Sequence, residues 1–122
     1  MFFNAATSIS ALAVTVNGTN AWETLKGTQS NDMIYGVSGD DTIYSFAGND
    51  VLYGGRGSDQ IIGSYSDDRL FGSTGSNELS GGLGNDYILA TSEPEGDDCR
   101  GGTFNEISGG NGDDFVRTLD AL

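Results

Sequence analysis

From Val16 to Ile88 every ninth residue is aliphatic: Val16, Leu25, Ile34, Ile43, Leu52, Ile61, Leu70, Leu79 and Ile88. The spacing returns at Ile107 and Val116. Two residues before each of these stands a short polar or acidic side chain from Glu23 onward: Glu23, Asp32, Asp41, Asp50, Asp59, Asp68, Asn77 and Asp86, then Asn105 and Asp114. With the aliphatic residue at position 8 of a nonapeptide, the carboxylate is at position 6, and position 4 is Gly or Ser from Ser30 through Gly84. A helix needs a period near 3.6, and Gly-x-Asp punctuation at every turn would break it. The segments around position 8 are short and rich in aliphatic and aromatic residues, so they read as three-residue strands. The Gly-x-Asp segments read as turns, with Gly supplying positive φ. Short strands and tight turns at a constant period describe an all-β solenoid.

A column of carboxylates at fixed spacing repels itself, and the whole chain shares the problem. Its 122 residues hold 18 Asp and Glu against 5 Lys and Arg, a formal net charge of −13. Such a balance argues against a nucleic-acid partner, which requires a basic patch. High charge with low hydrophobicity also marks disorder. Eleven aliphatic residues in two columns cannot by themselves offset ordering costs of about 1–2 kcal/mol per residue. A cation between the carboxylates would remove most of this difficulty. Catalysis finds no support: there is no His, no G-x-S-x-G, and every recurring Asp already has a place in the repeat. The single Cys99 allows no intrachain disulfide. No apolar run reaches the length of a membrane span. The N-terminus MFFNAATSISALAVTV is apolar, but its first basic residue is Lys26, so it is not read as a cleaved secretory signal.

The segments GGRGSDQII (54–62) and GGLGNDYIL (81–89) resemble the RTX nonapeptide G-G-x-G-x-D-x-U-x, a calcium-binding parallel β-helix repeat. The likeness runs from Gly27 to Leu89 without a break and resumes from Gly109 to Arg117. It implies a right-handed parallel β-roll with two nonapeptides per coil and Ca²⁺ between successive turns. The implied ligands are the position-6 residues Asp32, Asp41, Asp50, Asp59, Asp68, Asp86, Asp114, Asn77 and Asn105. Backbone carbonyls near Gly39, Gly48, Gly57, Gly75, Gly84 and Gly112 would join them. Ca²⁺ takes six to eight such oxygens, so roughly four to six ions are expected. Metal binding then becomes folding free energy.

The chain divides into an apolar N-terminal segment and metal-free capping coil (1–26), seven tandem repeats (27–89), an inserted acidic loop (90–99), two further repeats (100–117) and a tail (118–122). If two repeats make a coil, one edge carries Asp32, Asp50, Asp68, Asp86 and Asp114. The other carries Asp41, Asp59, Asn77 and Asn105, and loses charge where Asn stands. The outward faces differ too. Met33, Tyr35, Val51, Tyr53, Phe71, Tyr87 and Leu89 form an apolar wall on one face. On the other, Thr42, Gln60, Glu78 and Glu106 fill equivalent places. The wall and the apolar Met1, Phe2 and Phe3 are expected to contact other copies of the chain, giving a homo-oligomer or filament. The resulting expectation is a secreted structural or adhesive protein, not an enzyme, with possible cell-surface or matrix contact and no transmembrane segment. The alternative is a secretion and folding module of a larger RTX toxin, protease or lipase, exported by type I secretion without a cleaved N-terminal signal.

Overall fold

The computed structural model describes residues 12–91 and 105–119. Eleven strands occur there: β1 (Thr15–Asn17), β2 (Thr24–Lys26), β3 (Met33–Ser38), β4 (Thr42–Tyr44), β5 (Val51–Arg56), β6 (Gln60–Tyr65), β7 (Arg69–Thr74), β8 (Glu78–Leu83), β9 (Tyr87–Thr91), β10 (Glu106–Asn111) and β11 (Phe115–Leu119). The odd strands form one sheet in the order β1-β3-β5-β7-β9-β11, and the even strands form a second, β10-β8-β6-β4-β2. Every pairing is parallel. Met33 lies beside Val51 and Thr42 beside Gln60, so one coil takes two nonapeptides. The architecture is a parallel β-roll, as the period required.

Strand pleating puts alternate side chains on opposite sides. Ile34, Ile43, Leu52, Ile61, Leu70, Leu79 and Ile88 point inward and are fully buried, with Leu25 and Ala90 completing the core. Val16 and Ile107 pack against it from the two ends. Position 1 points inward as well, two residues past the aliphatic one, and it is Gly or Ser from Gly18 through Gly81 because a carboxylate lies against it. A side chain added at Gly36, Gly54, Gly63 or Gly81 would collide with Oδ2 of the Asp five residues on.

Most strands run six residues rather than the three expected. They continue past the aliphatic residue through positions 1 to 3, where Val37 still pairs with Gly55 and Ser38 with Arg56. A left-handed residue at position 2 bends the strand there without ending its ladder. Gly55, Gly82 and Gly110 adopt this conformation, and so do Val37 (φ 82°), Phe46 (φ 78°), Ser64 (φ 82°) and Ser73 (φ 65°). Side chains other than glycine seldom enter this region. Among the described residues the repeat-type turn begins at Val37, since neither Thr28 nor Ser30 is left-handed.

Candidate metal centres

The turns at positions 4 to 6 stack along two edges of the roll, and the position-6 side chain is their organising element. Its Oδ1 accepts a hydrogen bond from the backbone N–H of the position-6 residue one coil earlier. On the first edge Asp32 donates to Asp50 (2.7 Å), Asp50 to Asp68 (2.9 Å), Asp68 to Asp86 (2.8 Å) and Asp86 to Asp114 (3.0 Å). On the second, Asp41 donates to Asp59 (2.9 Å), Asp59 to Asn77 (2.8 Å) and Asn77 to Asn105 (2.9 Å). The same residue's backbone carbonyl accepts from the next coil, as in Gln60 N–H to Asp41 and Arg69 N–H to Asp50. Each position-6 residue is thus tied to the neighbouring coil by main chain and side chain together.

The second carboxylate oxygen is a different matter. Oδ2 of Asp41, Asp50, Asp59, Asp68 and Asp86 is buried and has no hydrogen-bond donor. The Ser45 hydroxyl near Asp50 gives its single proton to the Gly63 carbonyl at 2.7 Å. A buried anion with an unsatisfied oxygen is costly, and protonation responds to it. Burial pushes the Asp68 carboxyl up to about 8, with the charges of Asp50, Asp86 and Asp67 adding to the rise. Burial raises Asp59 to about 6, with Asp41 and Asp40 contributing. Asp41, Asp50 and Asp86 are also raised, again chiefly by burial.

Each orphaned oxygen requires a proton, a donor or a cation. Among the described residues no three carboxylates converge on one point, so most oxygens around a cation must be carbonyls, as suits the hard, high-coordination Ca²⁺. The turns supply them. The carbonyl oxygens of Gly39, Gly57 and Gly84 point at Gly57, Gly75 and Gly112 one coil on, so closely that a Cβ there would collide. Gly at position 4 suits both the φ (131° at Gly57, 138° at Gly112) and this approach, although Ser66 holds a left-handed φ of 76° at the same position. The donor set fits Ca²⁺, and Asp41, Asp50, Asp59, Asp68 and Asp86 are the side chains able to hold it through Oδ2.

Other position-6 residues differ. Asp32 has both oxygens occupied: Oδ2 accepts from Thr28 N–H (2.5 Å) and the Thr28 hydroxyl (3.0 Å), and Oδ1 from Val14 N–H (2.8 Å). On the other edge Glu23 Oε2 accepts from Thr19 N–H at 2.6 Å. The first coil therefore satisfies its own carboxylates. Asp114, at the far end, is partly exposed. Asn77 and Asn105 keep the Oδ1 hydrogen bond and carry an amide nitrogen in place of Oδ2.

A second clamp escaped sequence reasoning. At position 5, side-chain Oδ1 accepts from the N–H of position 5 one coil later: Asn49 to Asn31 (2.8 Å), Ser58 to Asp40 (2.8 Å), Asp67 to Asn49 (3.1 Å), Asn85 to Asp67 (2.8 Å) and Asp113 to Asn85 (3.0 Å). It runs opposite to the position-6 clamp. The signal was an unbroken run of Asn, Asp and Ser at position 5 from Asn31 to Asn85.

The apolar wall is a stacked ladder. The Tyr35 and Tyr53 rings are nearly parallel and stacked at 5.0 Å between centroids, and Tyr53 and Phe71 follow at 4.7 Å. The row then steps from position 9 to position 7: Phe71 meets Tyr87 tilted at 6.1 Å, and Tyr87 stacks on Phe115 at 5.2 Å. Met33 and Phe115 are exposed, while Val51, Tyr53, Phe71, Tyr87 and Leu89 are half-buried. Met1, Phe2, Phe3, Cys99 and the acidic part of the insertion lie outside the described residues.

The family model of the RTX calcium-binding nonapeptide repeat matches the chain in four copies, over residues 17–45, 26–61, 62–92 and 101–120. Neither a curated protein nor a solved structure matches it.

Proposed function

Since the chain belongs to the family of RTX calcium-binding nonapeptide repeats, we propose that it is an extracellular protein that folds on Ca²⁺ and serves a structural or adhesive role by assembling with copies of itself. The repeat is a calcium-binding structural module, is not catalytic by itself, and is typical of secreted proteins. Among the described residues no helix is long and apolar enough to cross a membrane.

The observation that carries the calcium-driven folding is the set of buried, donorless Oδ2 atoms at Asp41, Asp50, Asp59, Asp68 and Asp86. They sit beside a core one aliphatic side chain wide on each sheet. Without a cation the roll must bury these carboxylates uncompensated or protonate them. Self-assembly is supported by the solenoid's two ends. Among the described residues, strands β1 and β11 terminate one sheet and β2 and β10 the other; unpaired strand edges are templates for further pairing. The exposed Met33 and Phe115 (40% and 54%) add apolar surface along the wall.

The test is to size the purified chain with and without Ca²⁺ while following its circular dichroism. The expected result is a largely unordered chain in chelator, and a β-rich assembly in millimolar Ca²⁺ whose size falls when Tyr53 and Phe71 are both replaced by Ser. A Ca²⁺-loaded chain that stays monomeric at high concentration overturns the assembly. It would favour the second reading, a secretion and folding module of a larger protein. One observation favours that reading: the aromatic rings stack face to face within the roll, so much of the wall's apolar surface is already covered internally.

A further inference from the structure

At one place in the second edge the side chain that should present an oxygen presents an amide nitrogen, and the surrounding backbone leaves it no choice. Asn77 Oδ1 accepts from the Asp59 N–H at 2.8 Å. Turning the amide over would set its NH₂ group against that N–H, donor against donor. The backbone therefore fixes the orientation, and Nδ2 falls where Asp41, Asp50, Asp59, Asp68 and Asp86 carry their donorless Oδ2. The neighbouring glycines confirm the equivalence: a Cβ at Gly54 or Gly63 would meet Asp Oδ2, and one at Gly72 would meet Asn77 Nδ2 at 2.9 Å. Asn77 is 2% exposed, and its Nδ2 faces the Gly75 carbonyl oxygen at 3.5 Å.

We infer that Asn77 is a stop in the ion column: its amide closes this place with its own hydrogens, so that the second edge takes one Ca²⁺ fewer than the first. The inference rests on the reading that the orphaned Oδ2 atoms are calcium ligands. An amide NH₂ at that point cannot coordinate a cation, and its hydrogens oppose one. It also removes the negative charge that would otherwise need neutralising in a buried site. Asn77 also stands at the place in the chain where this edge changes spacing. Elsewhere on this edge the next position-6 residue follows 18 residues on, but from Asn77 to Asn105 the separation is 28. Ten extra residues lie in the chain between β9 and β10, so Asn77 is the last position-6 residue of this edge before the spacing changes from 18 to 28.

The experiment counts ions on the full chain at saturating Ca²⁺, by isothermal titration calorimetry and native mass spectrometry. Asn77→Asp should bind one Ca²⁺ more than the wild type and need a higher Ca²⁺ concentration to fold, because it adds a buried charge. Asp68→Asn keeps the Oδ1 clamp and should bind one fewer. An Asn77→Asp chain that folds with the wild-type count overturns the assignment. If that variant does not fold, Asp68→Asn decides: an unchanged count there would mean that an amide does not exclude the ion. A wild-type chain that binds no Ca²⁺ overturns the inference together with the reading beneath it, and does so before any variant is compared.

Discussion

The two edges of the roll share a backbone and differ in a few atoms. On the first, Asp50, Asp68 and Asp86 all bring a buried Oδ2 without a donor; on the second only Asp41 and Asp59 do, and Asn77 and Asn105 follow. Yet the clamp from Oδ1 to the preceding coil is kept on both edges with near-constant length, 2.7 to 3.0 Å. The difference separates two tasks that a carboxylate performs at once. One oxygen ties coil to coil and can be supplied equally by Asn. The other confers charge and a lone pair that no hydrogen bond engages, and only Asp supplies it.

The broadest way to break the comparison is to remove the metal. Chelation should unfold the roll on both edges, because the core cannot offset the charge of the buried carboxylates. Circular dichroism should lose its β signal in chelator and regain it with Ca²⁺ but not with Mg²⁺, which holds its waters and demands a smaller octahedral site. A well-folded metal-free monomer would remove the basis for assigning any task to Oδ2.

Protons should partly replace the metal, and the edges should respond at different pH. The unfolded Asp titrates near 3.8, whereas folding raises Asp68 to about 8 and Asp59 to about 6. A raised folded value means that the protonated form is favoured in the roll. Below the unfolded value neither residue penalises folding. As pH rises the penalty grows, and it is complete above about 8 for Asp68 and above about 6 for Asp59. The metal-free chain should therefore gain β structure on acidification from pH 8 toward 4. The first edge should begin to respond before the second, since Asp68 lies between two charged neighbours, Asp50 and Asp86, and Asp59 has a neutral amide on one side. A pH series in chelator that shows no gain between 8 and 5 would contradict this.

Much of this organisation was legible in the sequence, and the unread remainder has a physical reason. The period identified the core from Leu25 to Ile88, because only position 8 recurs as aliphatic and pleating then dictates burial, but not the buried Ala90, read as the start of the insertion, nor the 44% exposure of Val116. It also separated the edges, since Asn77 and Asn105 are visible departures from Asp. What could not be read was which oxygen does what: that depends on a hydrogen bond across 18 residues of chain. The six-residue strands were missed because Val37, Ser64 and Ser73 offer no glycine to signal a left-handed bend inside β3, β6 and β7. Asp32 looks like any other repeat carboxylate until Thr28 is seen to fill its Oδ2 with both its N–H and its hydroxyl.

Single substitutions should sharpen the contrast. Asp68→Ala removes clamp and charge together, leaving the Asp50 N–H without its acceptor, and unfolding in saturating Ca²⁺ should show a loss of several kcal/mol, of which about 1–3 is the stranded donor. Asn77→Ala removes only the clamp on Asp59 N–H and should cost about 1–3 kcal/mol. Ca²⁺ stoichiometry should fall in the first and stay constant in the second. Equal losses of stability and of ions at the two edges would mean that the tasks of the two oxygens are not separable.

The smallest expected effect concerns what the edges have in common. Val37 precedes a turn of the second edge and Phe46 a turn of the first, and both hold a left-handed φ, 82° and 78°. For a side chain with Cβ this conformation costs roughly 1–2 kcal/mol. Replacement by Gly relieves that strain but restores about 0.5–1 kcal/mol of backbone entropy to the unfolded chain. Little packing is lost at Val37, which is 45% exposed; Phe46 gives up more through its contact with Tyr44 at 6.4 Å. Val37→Gly should therefore raise stability in saturating Ca²⁺ by about 0.5–1 kcal/mol, and Phe46→Gly by less. Neither should change the number of bound ions, because position 2 contributes no side-chain oxygen in these two repeats. Denaturant midpoints measured at fixed Ca²⁺ decide the matter. A destabilised Val37→Gly would mean that the branched side chain, despite its exposure and strained φ, is held by contacts stronger than the strain, and the shared bend would then belong to packing rather than to backbone geometry.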